Sequence, residues 1–319
     1  MSEILKIIAV TGPTATGKTA LAVALARRFD AEIVSVDSRQ VYRHMDIGTG
    51  KDLAEYGDVK YHLIDIADPA TEVYDLARFC RDASQAVLDI AGRGKNIILC
   101  GGTALYLAAL LNRYELPGGK LAPREAGKAR ERQNPDGETS FELPFEADYL
   151  VLGVLYPRQV VRERIAARLD ARLKQGMVEE VRELTEKYGV PPEKLDFFGL
   201  EYREVGRLLK GECSPEEMRN TLLDRIRQFA KRQDIFFRKL EREGNDIHWI
   251  PEGDFEQAES LVTKFLAGAP PAPGRLPSCR PPKPGALRRR EGIIGSIYSP
   301  PGNTLLPPGT DMILALSKR

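Results

Sequence analysis

Residues 12–19 read Gly12-Pro13-Thr14-Ala15-Thr16-Gly17-Lys18-Thr19, a full match to the phosphate-binding pattern G-x-x-x-x-G-K-[ST]. The apolar run Ile7-Ile8-Ala9-Val10 precedes it and the helical stretch Ala20 to Arg28 follows. That order of strand, loop and helix lets backbone N–H groups wrap a di- or triphosphate at the start of a helix. Lys18 would neutralise phosphate charge, and the Thr19 hydroxyl would hold Mg²⁺. A chance glycine-rich turn does not account for Gly17, Lys18 and Thr19 together. The loop does not say which phosphate it holds.

The pattern around the loop predicts an α/β fold. Short, continuous, branched-residue runs at Leu5–Val10, Glu32–Val36, Asn96–Cys100 and Tyr149–Tyr156 alternate with helical periodicity, as in a parallel, doubly wound sheet covered on both faces. In such sheets ligands gather beyond the carboxyl ends of the strands. A helix is expected around Asp75–Gly92. Val161, Ile165, Leu169 and Leu173 form an apolar stripe with Arg164, Arg168 and Arg172 as a second stripe at the same spacing. Gly176 is expected to break that helix before Met177–Tyr188 resumes. Ser214-Pro215-Glu216-Glu217 carries a capping box and opens a long helix to about Glu243, with a core stripe at Met218, Leu222, Ile226 and Phe229. Ile247–Ile250 reads as a last short strand.

Four segments follow from composition: a phosphate-loop core at 1–112, a short polar insertion at 113–147 with a helix at Pro123–Arg132, the remainder of the core with C-terminal helices at 148–268, and a tail at 269–319. The tail holds 11 of the 22 prolines and a net charge of +6, and is expected to be disordered. The rest of the chain is then at −5, so any polyanion must be gripped by local patches rather than by bulk charge. Cys80, Cys100, Cys213 and Cys279 are scattered without C-x-x-C or a nearby His pair, which speaks against zinc or a disulfide framework and for a reducing cytoplasm. No apolar run is long enough for a membrane span, and no signal peptide is expected.

Three clusters besides the loop could carry chemistry. Asp37 ends the run Ile33-Val34-Ser35-Val36. Two roles compete for it, a carboxylate ordering a metal-bound water and a general base beside the phosphate site. The polar segment that follows, Ser38-Arg39-Gln40, suits the reading of a base and favours the second. Gly101-Gly102-Thr103 ends another strand; its glycines permit close backbone approach and Thr103 offers a hydroxyl, although an ordinary turn has the same composition. Farther on, Gln228, Lys231, Arg232 and Ile235 share one helix face. The opposite face already supplies a core stripe, so the basic face calls for an anionic neighbour.

These clusters in this order resemble the tRNA dimethylallyltransferase (isopentenylpyrophosphate:tRNA transferase) family. The matching blocks are GPTATGKT at 12–19, DSRQVYRHMDIGT at 37–49, YHLIDIADP at 61–69, CGGTALYL at 100–107, RIAARLDARLKQGMVEEV at 164–181, GLEYR at 199–203 and QFAKRQ at 228–233. The resemblance covers about residues 1–250 and is closest to a shorter, second-type branch. It implies that the loop residues Gly12 to Thr19, with Arg203, hold the diphosphate of dimethylallyl diphosphate, with Mg²⁺ on Thr19. It implies transfer of the prenyl group to the exocyclic amine of adenine 37 in tRNAs reading codons that begin with U. Asp37 would be the base, Thr103 would stand across the channel, and Lys18 would stabilise the departing charge. Ser38, Arg39, Gln40, Gln228, Lys231 and Arg232 would join Asp37 and Thr103 on the tRNA anticodon loop. A cytoplasmic monomer is expected.

Two departures qualify the resemblance. Residues 113–147 are too short for the helical insertion of longer members, and no H-P-N-D-x-x-R block is present. The usual Trp after K-R-Q is replaced by Phe236 or Phe237. Adenylate isopentenyltransferases, which also lack most of the insertion, are therefore the alternative reading. A phosphate-loop small-molecule kinase and a non-catalytic RNA-binding protein come after it.

Overall fold

A computed structural model describes residues 4–111 and 143–269. The expected helix at Pro123–Arg132 and the Pro-rich tail lie outside the described residues. Among the described residues six parallel strands form one sheet in the order β3-β2-β4-β1-β5-β6. They are β1 (Leu5–Thr11), β2 (Ala31–Ser35), β3 (Tyr61–His62), β4 (Asn96–Cys100), β5 (Ala147–Leu155) and β6 (Ile247–Pro251). The strand positions expected from the sequence hold to within two residues. β3 carries no recognisable run, because two residues are too few to show a period.

The helices are α1 (Lys18–Arg28), α2 (Leu76–Gly92), α3 (Ala104–Leu111), α4 (Arg158–Lys174), α5 (Met177–Glu186), α6 (Leu200–Leu209), α7 (Pro215–Arg242) and α8 (Phe255–Leu266). Successive strand residues point to opposite faces. Ile8, Val10, Ile98, Leu150 and Leu152 pack with Leu21 and Leu25 of α1 and Val262 of α8. Ile7, Ala9, Ile97, Leu99 and Val151 belong to a second core with Phe79 and Val87 of α2 and the apolar lines of α4 to α7. Both faces are thus covered, which is why the strands read as unbroken apolar runs. No helix among the described residues is long and apolar enough to cross a membrane.

Local signals fix the helix ends. Ser214 accepts the Glu217 N–H while the Glu217 carboxylate accepts the Ser214 N–H, closing the expected capping box of α7. Gly176 sits at φ 101° between α4 and α5, a left-handed conformation that suits glycine. One expectation fails on α7. Phe229 is 40% exposed, and the buried line instead runs Met218, Leu222, Ile226, Ala230, Gln233, Phe237 and Leu240. Through its first four members that line advances four residues at a time, so it turns away from position 229.

The edge strand is held by charge. Glu32 on β2 receives both Nε (3.0 Å) and a terminal nitrogen (2.7 Å) of Arg93, and it also contacts Nε2 of His62 on β3 at 2.6 Å and Lys60 Nζ at 3.6 Å. The Arg93 hydrogen bonds, with His62 after them, bring the Glu32 carboxyl down to about 2. A depressed carboxyl contributes stability that is present above its unfolded value and lost as pH falls through the folded one. Acid titration of the native protein should therefore show a fall in stability between about pH 4.5 and 2 that Glu32→Gln flattens. An unchanged slope in the variant would assign the acid sensitivity elsewhere.

Candidate active site

The strand order places three loops side by side at one edge. β2, β4 and β1 are consecutive neighbours, and they end in Asp37, in Gly101-Gly102-Thr103 and in the phosphate loop. Backbone bonds lock these exits together: Val36 N–H donates to Cys100 O (2.8 Å), Gly101 N–H to Val10 O (3.2 Å) and Thr103 N–H to Val36 O (3.2 Å). Gly101 has no alternative, because a Cβ there would stand 2.1 Å from the Val36 carbonyl oxygen.

The phosphate loop is braced from within. Gly12, at φ 146°, lies against β5, where a Cβ would come 2.8 Å from Val154 O. The buried Thr16 hydroxyl donates to Pro13 O at 2.8 Å, and Gly17 enters α1 at φ 77°. Lys18 Nζ is held at 3.3 Å from the same Pro13 oxygen. Burial pulls its ammonium below the usual lysine range, while Asp37 is near enough to oppose the shift. Burial pushes the neighbouring Cys100 thiol up to about 12, so it stays protonated and is no nucleophile.

Just beyond β2, Asp37 Oδ1 accepts the N–H groups of Arg39 (2.9 Å) and Gln40 (3.3 Å). Oδ2 has no donor among the described residues. The Thr103 hydroxyl oxygen accepts the Ser38 N–H at 3.0 Å and its hydrogen reaches toward Ser38 Oγ at 3.4 Å. Asp37, Ser38 and Thr103 are therefore brought together, with Thr103 bonded to Ser38 beside Asp37 rather than standing across a channel from it. Adjacent strands lie about 4.8 Å apart. Asp37, two strands from β1, is thus roughly 10 Å across from the loop strand.

The segment after Asp37 divides into two parts that the sequence did not distinguish. Asp37 and Ser38 lie at the carboxyl edge of the sheet next to Thr103. Gln40 is spent internally, accepting from Ser35 Oγ and donating to Gly50 O at 3.2 Å each. The Arg39 guanidinium stands 4.8 Å from the Phe197 ring centre, and burial lowers its basicity. The remainder is anchored from below. Glu180 of α5 accepts the N–H groups of Asp46, Ile47 and Gly48 and the Tyr202 hydroxyl, while the buried Lys51 joins Asp46 and Asp65.

A cleft beside Thr14 and Ala15 is closed by α4, α6 and α7 through Arg168, Arg172, Glu201 and Ile226. Arg172 lies against Gly50, where a Cβ would clash with its guanidinium. Burial, and after it the neighbouring Arg168, bring Arg172 down to about 10. Two arginines and Lys18 thus converge on the loop. The spacing of Arg168 and Arg172 was visible in the sequence, but nothing there said which side of α4 faced the phosphate loop.

Comparison with known proteins decides the family. A family model described as IPP transferase matches residues 40–143 and 128–240, and one described as Isopentenyl transferase matches 5–62. The chain is 44% identical over 283 residues to tRNA dimethylallyltransferase 1 of Geotalea uraniireducens, spanning 78% of this chain and 93% of that one. It is 43% identical to tRNA dimethylallyltransferase 2 of Pelobacter propionicus, over 77% of this chain and 90% of that protein. The chain belongs to the tRNA dimethylallyltransferase family. Among solved structures, the tRNA isopentenylpyrophosphate transferase of Bacillus halodurans superposes with a TM-score of 0.67 at 29% identity, covering 82% of this chain and 96% of the other. The fold is shared with a eukaryotic dimethylallyltransferase acting on tRNA, at TM-score 0.66 and 22% identity.

In this family member the remaining sequence-predicted residues fall in two places. Gln228, Lys231 and Arg232 stand exposed on α7 beside the exposed Phe229 and Ile235. Arg203 is elsewhere: with Arg207 and Arg225 it surrounds the fully buried carboxylate of Glu204, and it does not line the cleft beside the loop. One residue of the QFAKRQ block, Gln233, was given no role from the sequence and proves central. Its Oε1 accepts the Thr14 N–H and its Nε2 donates to Gly102 O, each at 2.9 Å.

Proposed function

We propose that this protein transfers a dimethylallyl group from dimethylallyl diphosphate to the exocyclic amine of an adenine in the anticodon loop of tRNA, at position 37 of tRNAs reading codons that begin with U. The observation that carries this reading is the strand order β2-β4-β1, which sets a carboxylate and a phosphate loop on either side of one intervening strand. That two-strand spacing, roughly 10 Å, puts the carboxylate within reach of a group attached to a diphosphate held by the loop.

The chemistry follows from the residues. Aromatic amines are weak nucleophiles, so a carboxylate that accepts the amine proton as the C–N bond forms lowers the barrier. Asp37 is pre-set for this, with Oδ1 pinned by two backbone N–H groups. Thr103 keeps the Ser38 backbone in register beside it. As the C–O bond breaks, the departing diphosphate gains charge, which Lys18 and the loop N–H groups stabilise together with Arg168 and Arg172 of the cleft. Thr19, in the first turn of α1, suits Mg²⁺, a metal held by one protein hydroxyl plus phosphate oxygens and water rather than by an all-protein cage. When bound, Mg²⁺ would add charge neutralisation at the leaving diphosphate. The exposed face of α7 offers Lys231 and Arg232 to RNA phosphates and Phe229 to a base.

Labelled dimethylallyl diphosphate offered with tRNA and with AMP tests the reading. Label is expected on tRNA; label on AMP alone would replace it with adenylate prenylation, the reading that the short insertion favours. Consumption of ATP with phosphorylation of a small acceptor would replace it with a kinase.

A further inference from the structure

Gln233 sits in the buried line of α7, 7% exposed, where an uncommitted amide would be costly. Both ends of the amide are used. The acceptor takes the Thr14 N–H of the phosphate loop, and the donor reaches the carbonyl of Gly102. The fit is close, because a Cβ on Gly102 would lie 2.9 Å from Gln233 Nε2. Beyond Gly102 the connection continues without a gap. Thr103 follows in the chain, its hydroxyl accepts the Ser38 N–H, and Ser38 follows Asp37. One side chain therefore spans the distance between the loop for the leaving group and the turn that aligns the base.

We infer that Gln233 is a positioning residue that sets the separation between the departing diphosphate and the acceptor amine, an inference that rests on the prenyl-transfer reading above. Of the side chains of this length only a carboxamide both accepts and donates at fixed geometry. Ionised Gln233→Glu keeps the acceptor for Thr14 and loses the donor to Gly102. Gln233→Met fills similar volume and makes neither bond. A displacement of about 1 Å between reacting groups costs on the order of 10²-fold in rate. It also changes what the allylic carbon meets. If the amine is out of place when the C–O bond to diphosphate breaks, a water oxygen bonds to the carbon and releases a proton. The products are then dimethylallyl alcohol and diphosphate instead of prenylated tRNA.

The test follows both products from labelled dimethylallyl diphosphate at saturating tRNA, with thermal midpoints measured alongside. For Gln233→Met, kcat for transfer should fall about 10²-fold while KM for dimethylallyl diphosphate moves less than about threefold. The ratio of alcohol to prenylated tRNA should rise by about tenfold or more, with Gln233→Glu between the two. A product ratio unchanged from the wild type, with activity falling only as folded protein is lost, would make Gln233 an ordinary core hydrogen bond and overturn the inference. So would loss of folding in both variants at the assay temperature. A wild-type protein that prenylates no tRNA would instead sink the functional reading itself.

Discussion

Asp37→Ala is expected to reduce prenyl transfer to tRNA by about 10²-fold or more while leaving diphosphate binding nearly intact. The carboxylate is two strands away from β1 and, among the described residues, bonds to the N–H groups of Arg39 and Gln40 alone, so its loss removes proton acceptance without disturbing the phosphate loop. Asp37→Asn is the sharper variant. Its Oδ1 still caps the same two N–H groups, so the turn keeps its shape, but the amide does not take a proton. The two variants should therefore be impaired alike. An active Asp37→Asn would show that residue 37 serves the turn and that another group accepts the proton. Binding of inorganic diphosphate, measured by calorimetry on the same proteins, separates a lost base from a lost substrate site.

Lys18→Met should lower kcat/KM for dimethylallyl diphosphate by roughly 10²- to 10³-fold, the range for removing one preorganised charge-stabilising donor. The ammonium is held on Pro13 O, and burial already pulls its basicity down. In that surrounding its charge counts for more than it would in water. Unlike Asp37→Ala, this variant should lose affinity for diphosphate too, because Lys18 meets the leaving group in the ground state as well as after bond cleavage. Retention of full transfer in Lys18→Met would move the main stabilising role to Arg168 and Arg172.

The parts of the site visible in the sequence are those with local signatures. The phosphate loop, the continuous apolar strands and the capping box of α7 each need fewer than ten neighbouring residues to be recognised. That Asp37 and Thr103 both lie at the carboxyl edge of the sheet was readable from the strand ends, but the bond from Ser38 N–H to Thr103, which puts them on one side, was not. Other features depend on partners distant in sequence. Nothing local separates Gln40, which braces the turn on Ser35 and Gly50, from Ser38, which is held by Thr103. The arginine stripe of α4 is plain in the chain, but its contact with the phosphate loop depends on how α4, α6 and α7 pack. Arg203 illustrates the reverse: its motif suggests a ligand, while its nearest partner is the buried Glu204. Gln233, given no role from the sequence, is buried while its neighbours Lys231 and Arg232 are exposed.

The bond from Thr14 to Gln233 joins positions 219 residues apart. At ribosomal rates of about 5–20 residues per second, roughly 10–45 seconds separate the synthesis of one from the other. Through that interval the nascent phosphate loop exists without the brace that fixes it to the Gly102 turn. The sheet strands β1, β2 and β4 are all made early, yet the reaction centre is complete only when α7 arrives. The emerging chain thus carries its most recognisable motif long before it has an enzyme's geometry.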